Sequence, residues 1–238
     1  SSVVHPKGYI CSETITPEIV LTNYGSNTLT SVTINYQTDN NPVQTYNWTG
    51  NLISTTTKNV ILPEIAVGGG SHTFRVFTSN PNGTEDSNQE NDLADTEYSK
   101  GLPYTLTLVF DNFPEETSWE VKNESGNVVL SGGPYGSEPD GSTLTQNLCL
   151  PSGCLDFIIY DSFGDGICCT YGNGSYELVY DGTGETVANG ENFEYSESNN
   201  FCNYASDLSI SIVQRSDISC GATDDGTATA LASGGTGN

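Results

Sequence analysis

The sequence predicts an all-β protein of tandem antiparallel β-sandwiches, and three features of the chain support this fold class. Short runs of alternating apolar and polar residues are separated by Gly, Asn, Asp and Pro, which favour turns. Methionine is absent and lysine is scarce, so few residues favour helices. The length of 238 residues fits two sandwiches of ordinary size, each able to bury a core.

Residues 1–99 are predicted to form the first sandwich, of immunoglobulin-like type. Apolar and polar residues alternate across Val32, Ile34 and Tyr36, so these three side chains share one face of a strand. A second alternating run follows at 74–78. Because one face of each strand would be buried and the other wet, we expect antiparallel strands packed in two layers.

Three stretches of this first domain carry a family resemblance. They are PEIVLTNYGSNTLTSVTINYQTD, the polar tryptophan segment YNWTGNL, and GGGSHTFRVFTSNPNGTEDSNQENDL. Over most of residues 8–98 they resemble CARDB-type domains, immunoglobulin-like adhesion modules that recur in secreted bacterial proteins. The resemblance implies an immunoglobulin-like fold and a spacer or adhesion role, and it brings no catalytic residue to this chain.

Residues 100–204 are predicted to form a second, cysteine-rich sandwich of jelly-roll-like type. Strand patterns such as YTLTLVF and SYELVYDG are separated by glycine-containing turns. The segments FDNFPEETSWEV and CLPSGCLDFIIYDSFGDGICCTYGNGSYEL resemble a DSFGDGICC-type domain that recurs beside proteases and adhesins in secreted proteins of marine bacteria. The resemblance implies an extracellular location and a β architecture rather than an activity.

Residues 205–238 predict the start of a third β module, with a turn at Asp224-Asp225-Gly226 between two strands. The stretch DISCGATDDGTATALASGGTGN resembles the opening of the repeats in SprB-like gliding adhesins, which continue through an aromatic strand absent here. A truncated module leaves an open sheet edge that another strand can cover. The N-terminal segment SSVVHPKGYI is a candidate donor, which would join chains head to tail into a filament.

The charge and the cysteine content limit where the protein can be located and which partners it can bind. Thirty Asp plus Glu oppose six Lys plus Arg, and the formal charge of -24 disfavours nucleic acid and anionic membrane surfaces. No apolar run reaches the length of about 18 residues that a membrane span needs, so we expect no membrane insertion. Seven cysteines in a chain of this kind indicate an oxidising, extracellular or cell-surface location.

Five of the seven cysteines lie in the second domain, and we interpret them as disulfide partners. They are Cys149, Cys154, Cys168, Cys169 and Cys202. Four cysteines allow two bridges in three ways, and the sequence does not choose among them. Cys202 would then need Cys11, Cys220 or solvent, and either bridge would lock domains together. The alternative for the first four is a four-thiolate zinc site.

The segment DSFGDG at 161–166 is the strongest candidate for a metal site. Its two carboxylates are four residues apart, with glycines that let the backbone fold around a hard cation. Asp111-Asn112 and Glu115-Glu116 form another acidic loop beside an apolar strand of the same domain. We therefore predict a calcium site, whose ligands are Asp161, Asp165, Asp111 and Glu116.

This predicted site is not an EF-hand, because Phe163 and Gly172 stand where that motif needs an oxygen ligand and a bidentate glutamate. The alternative to a metal is that Asp161 and Asp165 are turn formers whose side chains bond their own backbone. The two hypotheses differ in consequence, since a bound cation would add its binding free energy to folding stability.

Trp48 and Trp119 are candidates for a glycan platform, because an exposed aromatic face stacks on a sugar ring. The alternative is that both belong to cores, where strand aromatics usually lie. No HExxH, GxSxG or phosphate-cradling glycine loop occurs in the chain. Glu115, Glu116 and Asp161 are the conceivable members of a glycoside-cleaving pair. Two small sandwiches offer no evident deep cleft, so we expect no enzyme activity.

These observations predict a non-catalytic structural or adhesive segment of a larger secreted or cell-surface bacterial protein. Calcium would stabilise it, and strand addition would let it assemble into filaments. Its partners would be other modules of the same parent protein, further copies of itself, or a glycan. The alternative function is a carbohydrate-binding or accessory module of a secreted hydrolase or protease.

Overall fold

The computed structural model is all-β, as the sequence predicts. It describes residues 1–86, 88–203, 209–216 and 227–233. Contacts between residues divide the chain into two compact units. Over the ranges just given, no helix has the length and apolar character needed to cross a lipid bilayer.

The first unit comprises Ser1–Thr105, Asn147–Pro151 and Tyr180–Thr183. Its strands as far as Lys100 are β1 (Ser2–His5), β2 (Gly8–Ile10), β3 (Thr14–Ile15), β4 (Glu18–Thr22), β5 (Leu29–Thr38), β6 (Gln44–Leu52), β7 (Thr57–Ile61), β8 (Ile65–Ala66), β9 (Ser71–Ser79) and β10 (Leu93–Lys100). They form sheets in the orders β1-β4-β7, β2-β10-β9-β5-β6 and β3-β8. The predicted alternation is confirmed, because Val32, Ile34 and Tyr36 of β5 are all buried in one core.

The N-terminal segment is part of this first unit. β1 pairs antiparallel with β4, and β2 pairs parallel with β10. Val3 and Ile10 are buried in the core of the unit, which gives the segment a folding role of its own. The segment that the sequence suggested as a donor strand is therefore already paired within its own chain, and the parallel pair departs from the purely antiparallel expectation.

The second unit comprises Leu106–Gln146, Ser152–Val179 and Gly184–Asn238. Strands from Leu102 onward are β11 (Leu102–Val109), β12 (Thr117–Asn123), β13 (Val128–Gly132), β14 (Thr143–Leu150), β15 (Gly153–Asp161), β16 (Ser175–Tyr180), β17 (Glu185–Gly190) and β18 (Ser196–Asn203). They form two four-stranded sheets, in the orders β14-β11-β16-β17 and β13-β12-β15-β18. A 3-10 turn, Pro114–Glu116, immediately precedes β12.

Aromatic rings pack against one another in the core of the second unit. The ring of Phe157 lies 6.0 Å from Trp119 and 5.6 Å from Tyr176, which joins a strand of one sheet to a strand of the other. Trp119 is only 3% exposed, and its indole Nε1 donates a hydrogen bond of 2.6 Å to the hydroxyl of Tyr135. Trp119 is therefore a core residue and offers no platform to a glycan. Trp48 is partly buried against the core of the first unit.

Three disulfides confirm the prediction of bonded cysteines and correct their pairing. The bridges are Cys11–Cys149, Cys154–Cys202 and Cys168–Cys169. Cys202 bonds Cys154 because the two residues lie opposite each other where β15 pairs with β18. The three alternatives considered for Cys202, namely Cys11, Cys220 or solvent, were therefore all wrong. The four-thiolate zinc alternative was also wrong, since all four of its thiols are oxidised.

The region predicted as a third module contains an antiparallel pair of strands. β19 (Ser209–Ser216) pairs with β20 (Thr227–Ser233). The contact-based division counts both strands with the second unit. The turn predicted at Asp224-Asp225-Gly226 lies outside the residues that the structure describes.

Candidate metal centre

Two acidic loops meet at one end of the β12–β15 pair. Asp161 is the last residue of β15, and Glu116 immediately precedes β12. Because the two strands run antiparallel with Thr117 opposite Asp161, the start of β12 lies beside the end of β15. Carboxylate oxygens of Glu116, Asp161 and Asp165 all lie within 4.8 Å of one another. Three of the four predicted ligands thus converge.

The fourth predicted ligand, Asp111, is a buried carboxylate outside that group of three. It is 5% exposed, and Asp161 is 3% exposed. Asp111 directly follows Phe110, a buried residue just after the apolar strand β11, and this position explains why Asp111 is buried at the edge of the core. The structure therefore combines a buried pair of aspartates with the partly exposed side chains of Glu116 and Asp165.

Backbone hydrogen bonds hold the buried carboxylates in place. Oδ1 of Asp161 accepts bonds of 2.7 Å from the backbone N–H groups of Phe163 and Gly164. Oδ1 of Asp111 accepts a bond of 2.9 Å from the N–H of Phe113. The turn-forming role proposed for Asp161 is thus present. It uses one carboxylate oxygen, and a carboxylate has a second oxygen for a cation.

Glycines bring a third loop against Asp111. Gly172 has a φ of 148°, and a Cβ at this position would lie 2.8 Å from the Cα of Asp111. The backbone N–H of Asn112 donates to the carbonyl of Tyr171 at 3.1 Å. A larger residue at 172 would push this loop away from Asp111. The glycine in the sequence YGNG, shortly after the vicinal cysteines Cys168 and Cys169, therefore allows the loop to approach the centre closely.

Electrostatics in the centre favour a bound cation. Burial raises the pKa of Asp111, and repulsion from Asp161 and Asp165 raises it further. Burial and the same two neighbours, with Asp111, also raise the pKa of Glu116. Among the ion pairs of the described residues, none includes a carboxylate of this centre. Buried negative charge without a counter-ion is costly, and a metal ion would remove that cost.

A buried hydroxyl without a partner lies beside the carboxylates. Thr117 is 1% exposed, and its Oγ1 has no hydrogen-bond partner. Thr117 and Asp161 are directly opposite each other across the β12–β15 pair, so their side chains project from the same face of the sheet. An unpaired buried hydroxyl is uncommon in a folded protein, and this one lies on the same face of the β12–β15 pair as Asp161.

Oxygen donors of this kind suit calcium better than other common metals. Calcium accepts six to eight oxygen ligands in irregular geometry, whereas magnesium requires a near-ideal octahedron. Zinc favours thiolates and imidazoles, and the neighbouring cysteines are consumed in disulfides. The residues therefore fit a hard divalent cation of calcium size.

Comparison with known proteins adds no assignment to this geometry. No family model matches the chain, and no curated protein matches its sequence. The functional interpretation accordingly depends on the residues themselves.

Four exposed aromatic side chains lie in the loops that carry the carboxylates or bond to them, and the sequence patterns did not single them out. This aromatic rim consists of Phe113, Phe163, Tyr171 and Tyr195. All four lie in loops, outside the alternation of the strands, and three of them adjoin an Asn or a Gly, whereas Tyr195 lies between Glu194 and Ser196. Their position in loops could have identified them from the sequence, because the aromatic residues of a β-sandwich core normally lie within strands.

Proposed function

We propose that this chain is a non-catalytic structural or adhesive segment of a secreted or cell-surface bacterial protein, and that calcium stabilises its second unit. The observation that carries the proposal is the convergence of Glu116, Asp161 and Asp165 within 4.8 Å. The buried carboxylate of Asp111 and the unpaired hydroxyl of Thr117 support it.

An extracellular setting agrees with the disulfides and with the proposed ion. Six cysteines are bonded in pairs, and such bonds persist mainly in oxidising compartments. Extracellular modules bind calcium with a Kd of about 10⁻⁴ to 10⁻³ M, which suits the calcium level outside cells. A free calcium concentration about tenfold above Kd would stabilise the second unit by roughly 1.4 kcal/mol.

The absence of catalysis is part of the proposal, and the burial of Asp161 supports it. A glycosidase needs two carboxylates that flank the scissile bond and reach the sugar. Asp161 is 3% exposed, and two backbone N–H groups hold its Oδ1, so it is poorly placed as a nucleophile. Glu116 and Asp161 therefore serve better as ligands of one ion.

Calorimetry with the whole chain tests the proposed calcium site. The melting temperature is measured in calcium and in EGTA at matched ionic strength. Asp161→Asn keeps an acceptor for the loop N–H groups but removes one charge, and Glu185→Gln removes an exposed charge of β17 as the matched control. We expect calcium to raise the melting temperature of the parent and of Glu185→Gln but not of Asp161→Asn. Equal melting temperatures in calcium and EGTA for the parent would refute the site.

A further inference from the structure

Exposed apolar side chains of the second unit are concentrated around the metal centre. Among the residues of this unit between 106 and 203, the most exposed large hydrophobic side chains are Phe113 (37%), Val128 (51%), Phe163 (75%), Tyr171 (50%) and Tyr195 (64%). All of these except Val128 belong to the aromatic rim. Exposed apolar groups that gather at one place on a protein mark a binding surface more often than isolated ones do.

Hydrogen bonds to the same loops position both the rim and the carboxylates. Phe113 and Phe163 donate their backbone N–H groups to the side chains of Asp111 and Asp161. The backbone N–H of Asp161 in turn donates to the carbonyl of Tyr195 at 3.1 Å. The orientation of the rim is therefore linked to the orientation of the ligands.

Ring contacts give the rim a defined shape. The rings of Phe113 and Tyr171 meet edge to face, with centroids 5.6 Å apart. The ring of Tyr195 lies over Gly164, where a Cβ would come within 2.4 Å of the ring. Gly164 thus leaves room for Tyr195 to cover the loop that carries Asp161 and Asp165. The aromatic side chains and the carboxylates therefore belong to the same group of loops.

Charge and chemistry together select the class of ligand. A second copy of this chain would carry the same charge of -24 and would be repelled, as would an anionic lipid surface. A neutral sugar avoids that repulsion. Its C–H faces suit aromatic rings, and its hydroxyls suit both a calcium ion and the partly exposed carboxylates of Glu116 and Asp165.

We propose that the aromatic rim and the metal centre form one calcium-dependent binding site for a neutral glycan. Two adjacent hydroxyls of a sugar complete the coordination of the ion, and Tyr195 or Phe163 stacks on the ring. The inference rests on the proposed calcium site, whose buried neighbour Thr117 provides an observation independent of the acidic cluster. It moves the glycan platform from Trp48 and Trp119, which the sequence suggested, to the loops of the second unit.

Affinity electrophoresis tests this site with three probes, namely gels that contain mannan, laminarin or xylan. The whole chain is run in calcium and in EGTA, together with Tyr195→Ala, Phe163→Ala and the control Tyr24→Ala. Tyr24 is a 68% exposed tyrosine of the first unit. We expect at least one polysaccharide to retard the protein in calcium only. Each rim variant should bind about tenfold more weakly, and the control should bind as the parent does.

The outcomes separate this inference from the calcium proposal. If calcium raises the melting temperature but none of the three polysaccharides retards the protein, the glycan site is refuted while the calcium site stands. Retardation that persists in EGTA, or that Tyr195→Ala and Phe163→Ala leave unchanged, also refutes it. Calcium-dependent dimerisation in sedimentation velocity, lost in the rim variants, would identify a second copy of the chain as the occupant instead.

Discussion

Thr117 offers a test of the metal centre at the scale of one side chain. Its buried Oγ1 has no partner, so Thr117→Val should raise the stability of the metal-free second unit by about 1 kcal/mol, because an unsatisfied polar group is removed. In calcium the same change should reduce the stabilisation, since an oxygen donor is lost. Chemical denaturation in EGTA and in calcium measures both effects, with the exposed Thr145→Val as the control. Destabilisation in EGTA would mean that the hydroxyl has a partner after all.

His72 and Asp39 form an ion pair in the first unit that makes its stability depend on pH. Nδ1 of His72 lies 2.8 Å from Oδ2 of Asp39. Burial acts to lower the pKa of His72, but the hydrogen bond and charge of Asp39 raise it, and the net shift is upward. A raised folded-state pKa means that the stabilisation is complete below about 6.5 and is lost as the pH rises through the folded value.

Asp39→Asn should therefore lower the pKa of His72, because the burial of the ring remains while the attractive charge is removed. NMR titration of the imidazole measures this pKa directly. The free energy of unfolding of the variant should also vary less with pH above the unfolded-state pKa of His72. Below that pKa, the variant should be less stable than the parent by roughly 1 kcal/mol or less. An unchanged pKa in Asp39→Asn would show that the ion pair is not formed in solution.

At the scale of elements, the two acidic loops give the second unit a pH dependence of its own. The pKa values of Asp111 and Glu116 are both raised, chiefly by burial and also by neighbouring carboxylates. Their protonated forms therefore favour the folded state. This contribution is complete below the unfolded values of 3.8 and 4.5 and is lost as the pH rises through the folded values.

In EGTA the second unit should thus melt at a higher temperature when the pH is lowered from neutral towards about 5. In calcium that gain should be smaller, because the ion already offsets the repulsion. Calorimetry at several pH values, with and without calcium, checks the difference. Asp111→Asn should flatten the profile in EGTA, and a profile that calcium does not alter would contradict the shared role of these loops.

The two disulfides of the second unit should contribute different amounts to its free energy of unfolding. Cys154–Cys202 closes a separation of 48 residues, whereas Cys168–Cys169 closes a separation of 1. Loop-closure entropy predicts that removing the first bridge with a double alanine variant costs about 4 kcal/mol. Removing the second by the same change should cost far less, since it constrains almost no chain. Denaturant unfolding compares the two variants, and equal losses would rule out the entropic explanation.

For the molecule as a whole, the sequence predicted features that depend on local patterns. The alternation of apolar and polar residues correctly predicted β5. The same alternation in β12 places Trp119 on the buried face together with Val121, although Trp119 had been considered as an exposed glycan platform. The loops of the metal centre were found because Asp, Glu and Gly mark them locally. The bridge Cys11–Cys149 spans 138 residues, and only the folded chain brings those cysteines together. The aromatic rim was missed for a similar reason, since it is assembled from separate loops.

Removal of residues 1–10 distinguishes an N-terminal segment that serves its own unit from one that serves another chain. β1 and β2 are paired within the first unit, and Val3 and Ile10 are each 7% exposed. Deletion exposes the apolar surface that these side chains cover, so it should destabilise the first unit by roughly 3 kcal/mol or more. The full chain should meanwhile sediment as a monomer over a wide range of concentration, because its net charge of -24 opposes association. A donor strand would behave in the opposite way: the full chain would form polymers, and deletion would abolish them without lowering the melting temperature.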